Sequence, residues 1–281
     1  MIGLNFIKKL GFAAAVTLAV VSAGGMNASA QTVASIKQSG VLKAGVQVAQ
    51  VPWGFTDSSG KLTGFDVELT ELLAKDLGVK PAFTPVTPAN RVAALLTGQI
   101  DMIAAAMGIF PERQKVVLFS RPYTNIDNIY VGPVSLKVTG YADLKGRRIG
   151  VPRGTPQDMS ATKSAPQEAT IQRFDDDAST VQALLAGQVD VVGLAATQLP
   201  NIDQVAGKGK FDEKFVISRN FDAIAVRPGS REWVDYINDF IGRKIASGEL
   251  PALYKKWIGG DLAKMPTSGE GTDALPMQMV K

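Results

Sequence analysis

The chain has 281 residues, among them 30 Lys and Arg, 26 Asp and Glu, and no cysteine or histidine. This composition excludes disulfide bonds and any catalysis or metal binding by histidine or cysteine. The acidic residues show no calcium-loop spacing, so we predict neither a metal nor a cofactor. No basic run and no interleaving of basic and aromatic residues accompanies the small positive charge, so we predict no nucleic-acid partner.

Residues 1–30 are predicted to be a secretory signal peptide. Lys8 and Lys9 precede an apolar run at 10–23, and small residues follow up to Ala30. The run is too short for a membrane-spanning helix, and a buried N-terminal helix is disfavoured because no polar face alternates with the apolar one. We therefore expect a periplasmic protein cleaved near Ala30. Cleavage removes two lysines and no acid, which lowers the net charge from +4 to +2.

The first half of the exported chain alternates between strands and helices. The predicted elements are a strand at 41–48, a loop at 52–55, a helix capped by Asp66 and ending at Gly78, a strand at 80–86, and a helix opened by Thr87 and Pro88. This order predicts a parallel sheet with right-handed crossovers. Ligands of such sheets bind beyond the carboxyl ends of the strands.

One ten-residue pattern occurs twice, at 92–101 and at 181–190. Each copy has an apolar helix turn, a glycine (Gly98 or Gly187), a glutamine, and then an Ile-Asp or Val-Asp pair before a short apolar run. A glycine can end a helix in the left-handed conformation, and the apolar run suits a buried strand. The copies are too far apart for a solenoid repeat and favour two similar α/β lobes over a chance match.

The second half repeats the alternation and ends in a long helix. The predicted elements are strands at 148–151 and 170–174, a helix after the turn at 154–156, a pair of hinge strands at 128–131 and 221–226, and an amphipathic helix at 229–248 that packs onto the first lobe. We assign 31–131 to the first part of lobe 1, 132–224 to lobe 2, 225–262 to the return to lobe 1, and 263–281 to a loose tail.

Four stretches then resemble a known family. They are the run at 64–69 with Leu73, Ala74 and Leu77, then 111–113, 119–123 and 143–146. In this order they are similar to the family-3 extracellular solute-binding proteins, the periplasmic amino-acid receptors of ABC importers, over residues 40–257. The resemblance implies a type II periplasmic-binding-protein fold: two α/β lobes, each a mostly parallel sheet flanked by helices, joined by a two-strand hinge and closing on a ligand.

The resemblance also implies candidate binding residues in the first lobe. Arg113 matches the arginine that clamps the ligand's α-carboxylate, a task suited to its planar fork of donors; its alternative is a surface ion pair. Ala106 and Gly108 stand where relatives often have donors to the same carboxylate, so that only their backbone N–H groups could serve. Trp53 is predicted near the ligand, with core packing as its alternative. Gln50 and Gln47 stand where relatives often have a stacking aromatic and an acid, so a neutral polar contact is implied.

Lobe 2 offers further candidates and one departure from the family pattern. Thr155 opens a helix whose free N–H groups attract anions, and it serves equally as a simple N-cap. Arg153 either binds an acidic side chain of the ligand or is solvated. Ala195 stands where the family places the aspartate that takes the ligand's α-ammonium. Thr197, Asp175 and Gln198 are possible substitutes, and the other possibility is a ligand without a free amine.

We therefore predict a monomeric, non-enzymatic receptor that delivers a small carboxylated solute, an amino acid or a derivative, to an ABC importer permease. The alternatives are a receptor for an opine or an amine-free organic acid, and a cyclohexadienyl-dehydratase-like enzyme on the same fold. Dehydration needs a general acid. Outside the acidic run at 175–177, Glu168 is the only nearby candidate, which disfavours the enzyme.

Overall fold

The computed structural model describes residues 30–267. The predicted signal peptide, except Ala30, and most of the predicted tail lie outside the described residues.

The described chain forms its first lobe, crosses to a second, and returns. The elements before the crossing are α1 Val33–Ser39, β1 Val41–Val46, β2 Ala49–Gln50, β3 Gly54–Thr56, β4 Leu62–Thr63, α2 Phe65–Leu77, β5 Lys80–Pro85, α3 Arg91–Leu96, β6 Met102–Ile103, α4 Pro111–Gln114 and β7 Leu118–Phe119. Lobe 2 contains β8 Thr124–Pro133, β9 Arg148–Pro152, α5 Pro156–Ser164, β10 Thr170–Phe174, α6 Asp177–Leu185, β11 Val191–Ala195, α7 Leu199–Ala206 and β12 Phe211–Asp222, with 3-10 turns at Tyr141–Leu144 and Ala196–Gln198. The return comprises β13 Ala225–Val226, α8 Arg231–Ala246 and α9 Glu249–Trp257.

Both lobes are built on the same sheet plan. The strand order is β5-β1-β6-β13-β7 in the first sheet and β10-β9-β11-β8-β12 in the second. In each sheet the first three strands are parallel, and the last two strands run antiparallel to a neighbour. The predicted two-lobed α/β fold is therefore confirmed.

The repeated pattern forms the same structure in both lobes. Gly98 and Gly187 have φ angles of 78° and 67° after α3 and α6. The following aspartates each accept a hydrogen bond from the backbone of a parallel strand of the same lobe: Asp101 from Lys43 of β1 at 2.9 Å and Asp190 from Arg148 of β9 at 2.8 Å. These carboxylates join each helix-glycine turn to the sheet, so their role is structural.

The hinge lies closer to the first lobe than the sequence suggested. The strand β8 pairs with β12 along its whole length, up to the pair Thr124↔Asp222. The chain therefore leaves the first sheet between β7 and β8 and re-enters it between β12 and β13. The predicted hinge segment 128–131 lies inside the second sheet, and the pairing places the crossing near 120–124 instead of at 131.

Three local predictions are corrected. The predicted loop at 52–55 contains part of a small antiparallel sheet, β2-β3-β4. Asp66 does not cap α2, because its carboxylate instead bonds to Tyr123 and to the backbone of Ala106. The helix α3 begins at Arg91 and not at Pro88, since Thr87 and Asn90 bond to each other in a separate turn.

The return helix α8 packs on the first lobe, as predicted. Its side chains Trp233, Ile237 and Phe240 are fully buried in one apolar cluster with Leu69 and Leu73 of α2. Their spacing of three to four residues places them on one face of the helix. Because α8 follows the second crossing, this packing fixes the far end of the hinge to the first lobe.

Candidate functional site: the cleft between the lobes

A small cavity lies where the two lobes meet the hinge. The volume open to the centre of a water-sized sphere is about 20 Å³, enough for one or two water molecules. Its polar and charged walls include Arg91, Asn128, Gln157, Asp177, Asn220 and Asp222. The described conformation is thus closed, and a ligand as large as an amino acid requires the lobes to separate.

Direct hydrogen bonds join the lobes around this cavity. Trp53 Nε1 donates to Thr197 Oγ1 at 3.0 Å, and Arg113 Nη2 donates to the Gly154 carbonyl at 3.1 Å. Gln198 Nε2 also donates to the carbonyl of Val51. Opening the cleft has to break these contacts.

Five of the predicted binding residues line the cavity: Gln50, Ala106, Gly108, Thr155 and Ala195. The hydroxyl of Thr155 accepts from the Asp158 N–H and donates to the Pro152 carbonyl at 2.7 Å, so it caps α5 while facing the cleft. Ala195 is 1% exposed and contributes only a methyl group to the wall.

The backbone of Ala106 is held in an unusual conformation. Its φ of 45° lies in the left-handed region, which is costly for a residue other than glycine. Its N–H donates to Asp66 Oδ2 at 2.8 Å, and Tyr123 Oη donates to Asp66 Oδ1 at 2.7 Å. Burial raises the pKa of Asp66 to about 6. The predicted backbone donor at Ala106 is therefore already used to fix the loop.

Gly108 lies where the first lobe approaches the hinge. A Cβ atom at this position would be 2.6 Å from Asn220 Nδ2 and 2.6 Å from the ring of Phe110. Gly108 also forms an isolated bridge with Asp222. The side chains of Asn220 and Phe110 therefore lie directly against the Gly108 backbone, and a larger residue here would force them to move.

The structure places the other three predicted residues outside the cavity wall. Trp53 is fully buried against the edge of Phe65, with ring centroids 5.5 Å apart. Arg113 is half-buried at the rim; its Nη1 donates to the Gly108 carbonyl at 2.9 Å, and burial lowers its pKa to about 9. Arg153 is exposed. Roles in ligand binding for these residues remain predictions.

Three charged residues of the wall, Arg91, Asp177 and Asp222, were missed by the sequence reasoning. Arg91 is 2% exposed and Asp177 is 2% exposed, each in the first turn of its helix. Arg91 shares a helical face with the buried Ala94 and Leu95, a three-to-four spacing that points its side chain inward. Asp177 has the same relation to the buried residues Thr180 and Val181. The sequence signal was therefore a charge at a core-facing position.

Acidic groups surround the Arg91 guanidinium. Its Nη1 donates to the Ala105 carbonyl at 2.5 Å, and attraction to Asp222, Asp177 and Asp66 partly offsets the burial that lowers its pKa to about 10. Burial raises the pKa of Asp177 to about 7, and burial with repulsion from Asp66 raises that of Asp222 well above its ordinary range. The cleft thus contains both a buried cation and acids that are costly to ionise without a cation.

A chain of amides links helix α5 to the hinge. Gln157 Nε2 donates to Asn128 Oδ1 at 2.7 Å, and Asn128 Nδ2 donates to Asn220 Oδ1 at 2.5 Å. Asn220 Nδ2 in turn donates to Asp222 Oδ1 at 2.9 Å. A group that binds Gln157 or Asp222 therefore acts directly on the strands that connect the lobes.

Neither a metal centre nor a membrane span is indicated within the described residues. Residues 30–267 contain no group of three acids placed to hold a metal ion. The same range has no helix with the length and apolar character needed to cross a membrane.

Two α/β lobes, a double crossing and a polar cleft define a type II periplasmic-binding-protein fold. The family model of the bacterial extracellular solute-binding proteins, family 3, matches residues 42–260. The chain belongs to this family.

Relatives of known structure or function agree with this assignment. The L-cystine-binding protein TcyJ of Escherichia coli (strain K12) is 32% identical over 236 residues, which cover 82% of this chain and 86% of TcyJ. A solute receptor for L-cysteine from Neisseria gonorrhoeae has a similar crystal structure, with a TM-score of 0.76 and 33% identity over 81% of this chain and 94% of that chain. The ancestral amino-acid-binding protein AncCDT-1, a precursor of cyclohexadienyl dehydratase, has a TM-score of 0.74 and 29% identity over 81% of this chain and all of its own, 100%.

Proposed function

We propose that this solute-binding protein captures an amino acid or a close derivative in the cleft and delivers it to the permease of an ABC importer in the inner membrane. The observation that supports this most directly is the pairing of a buried cation, Arg91, with a buried acid, Asp177, in the wall of one cavity. A zwitterion presents both complementary charges. The relatives that bind L-cystine and L-cysteine make sulfur-containing amino acids the first candidates.

Cleft closure supplies the mechanism of capture. In the proposal, the open first lobe binds the ligand's carboxylate through Arg113 and neighbouring backbone, and lobe 2 then closes over the far side. The bond from Arg113 to the Gly154 carbonyl shows that this guanidinium can reach both lobes. Only a ligand with higher affinity for the closed form can shift the equilibrium toward it. The closed surface would be the one that the permease recognises.

The remaining parts of the proposal concern location and assembly. The predicted signal peptide at 1–30 would export the chain to the periplasm, where an importer's receptor acts. We propose that the receptor acts as a monomer. Gel filtration with light scattering tests the oligomeric state.

The proposed function predicts stabilisation by a narrow set of ligands. Thermal unfolding of residues 31–281 should be measured with the twenty L-amino acids, L-cystine, opines and plain carboxylates. A ligand at 100 times its Kd should raise the free energy of unfolding by about 2.7 kcal/mol. Stabilisation by one amino acid or a few related ones would support the proposal. If only amine-free carboxylates stabilised the protein, the amino-acid assignment would be wrong.

The carboxylate clamp predicts a loss of affinity in Arg113→Ala. Losing one or two hydrogen bonds to a charged group, at about 1.5–3 kcal/mol each, should weaken binding at least about tenfold. Arg113→Lys should recover only part of this affinity, because an ammonium lacks the planar fork. The exposed Arg147 provides the control variant Arg147→Ala. A Kd within about twofold of wild type in Arg113→Ala, measured by calorimetry, would remove Arg113 from the site.

A dehydratase is the second candidate function, and one observation favours it. The predicted acid Glu168 is exposed and paired with Lys145 at 2.9 Å, so it does not serve the cleft. Asp177, by contrast, has a pKa of about 7 inside the cavity, which suits a general acid. The two functions are distinguished by incubating the protein with a cyclohexadienyl substrate and following the absorbance of an aromatic product. If no product forms above the uncatalysed rate, the dehydratase is ruled out and only the receptor function stands.

A further inference from the structure

Several hydrogen-bonding atoms in the cavity wall are buried without a partner among the described residues. Three are acceptors: Gln157 Oε1, Asp177 Oδ2 and Asp222 Oδ2. One is a donor, Arg91 Nε. All four residues line the same cavity, and none is more than 4% exposed. A buried polar atom without a hydrogen-bond partner destabilises the protein by about 1–3 kcal/mol. A ligand that supplies hydrogen-bond donors to these acceptors would remove that cost.

The excess of acceptors identifies the chemistry of the missing partner. An ammonium group carries three N–H donors, no acceptor and a positive charge. A hydroxyl or an amide brings acceptors of its own, and a carboxylate would be repelled by Asp177 and Asp222. The single unpartnered donor, Arg91 Nε, is available to the ligand's carboxylate in addition to Arg113.

Asp177 is the member of the set whose carboxylate is available for this task. The neighbouring Asp176 makes the N-cap of α6, in a reciprocal capping box with Ser179. The carboxylate of Asp177 is therefore not needed to start the helix. Its wall partner on the first lobe is Gln50, which donates a hydrogen bond to it, and Arg91 is the cation that favours its ionised form. Ala195, at the end of β11 in the same lobe as Asp177, contributes a methyl group and no anion to the wall.

We infer that Asp177, together with Gln157 and Asp222, forms the subsite that receives the ammonium group of the ligand, in place of an acid at Ala195. This inference rests on the proposed receptor function and makes it more specific. The subsite joins lobe 2 to the hinge, because Gln157 and Asp222 belong to the amide chain that runs through Asn128 and Asn220. Filling it would therefore favour the closed lobes.

The test compares ligands that differ only in the α-amino group. The pairs are L-cysteine with 3-mercaptopropionate, L-glutamine with 4-carbamoylbutanoate, and L-arginine with 5-guanidinopentanoate, titrated by calorimetry into the wild type and into Asp177→Asn. The matched control is Asp175→Asn. Asp175 was predicted as a possible substitute for the ammonium-binding acid, but it is exposed and does not line the cavity, although it belongs to the same acidic run as Asp177. Asp177→Ser replaces Asp177→Asn if the latter does not fold.

The wild type and the control should bind at least one amino acid about 30-fold or more tighter than its deaminated partner, and Asp177→Asn should abolish that preference. The Kd of the deaminated acid should change by less than about threefold. If Asp177→Asn keeps the preference for the amine, the inference is wrong and the receptor function stands. If the wild type binds only the deaminated acids, both the inference and the amino-acid assignment fail.

Discussion

Lowering the pH from 8 to 6 is expected to raise the free energy of unfolding of the ligand-free protein by about 2 kcal/mol or more. The cause is the set of cleft acids whose pKa values are raised in the folded protein: Asp66 to about 6, Asp177 to about 7, and Asp222 well above its ordinary range. In the unfolded chain these carboxyls have pKa values near 4. Between pH 6 and 8 the native state therefore holds protons that the unfolded state has released.

The direction and size of this effect follow from proton counting. For each proton that the folded state holds and the unfolded state has released, the free energy of unfolding falls by about 1.4 kcal/mol for every unit that the pH rises. With a pKa of about 7, Asp177 loses its proton within this interval, and Asp66, with a pKa of about 6, is half-protonated at pH 6 and ionised at pH 8. Together these two acids account for about 2 kcal/mol, and the raised pKa of Asp222 acts in the same direction. The nearby cations Arg91 and Arg113 reduce the shift of Asp222 without removing it.

Differential scanning calorimetry at pH 6, 7 and 8, without ligand, measures the effect. Asp177→Asn should reduce the pH dependence and raise the stability at pH 8, because it removes a buried charge. The exposed Asp175→Asn should keep the wild-type slope. A stability that is flat or rises from pH 6 to 8 would mean that these acids are ionised in the folded protein.

A bound ligand should change this behaviour. An ammonium beside Asp177 favours the carboxylate and lowers its pKa, so binding near pH 6 releases a proton. The amino-acid complex should therefore be less sensitive to pH than the free protein. The feature that destabilises the free protein at neutral pH is in this way the one that favours binding, a trade-off common in functional sites.

The sequence allowed the fold to be predicted because its strongest signals are local. The glycine and aspartate of each repeat copy fix a helix end and its bond to the sheet within ten residues, and the structure reproduces both copies. The hinge position was predicted wrongly, because Thr124, Asn125 and Asp127 interrupt the apolar pattern in the first half of β8 and only 128–131 was recognised as a strand. Only its pairing with β12 shows that the whole strand belongs to lobe 2.

The cavity wall was predicted where it lies at the ends of strands. Gln50 and Ala195 end β2 and β11, and Ala106 and Thr155 follow β6 and β9 by three residues, as expected for ligands beyond the carboxyl ends of a sheet. Arg91 and Asp177 were missed because each stands in the first turn of a helix, where a polar residue is usually a cap or is solvated. Contacts between distant parts of the chain bury them.

Replacing Arg91 by methionine is expected to lower the free energy of unfolding by about 3–5 kcal/mol at pH 8, the cost of removing one partner of a buried charge pair. The variant loses the bond to the Ala105 carbonyl and the charge that offsets Asp66, Asp177 and Asp222. Methionine retains much of the volume, so the loss is electrostatic and not a cavity effect. The loss should shrink at pH 5, where the acids are protonated in the folded protein.

Urea unfolding at pH 8 and pH 5 separates this explanation from a packing defect. The exposed Arg147→Met is the matched control and should stay within about 0.5 kcal/mol of the wild type at both values. An equal loss in Arg91→Met at both pH values would point to packing and would remove Arg91 from the electrostatics of the cleft. A loss confined to pH 8 would place Arg91 as the cation that allows three acids to share one cavity, and affinity for an amino acid should fall with it.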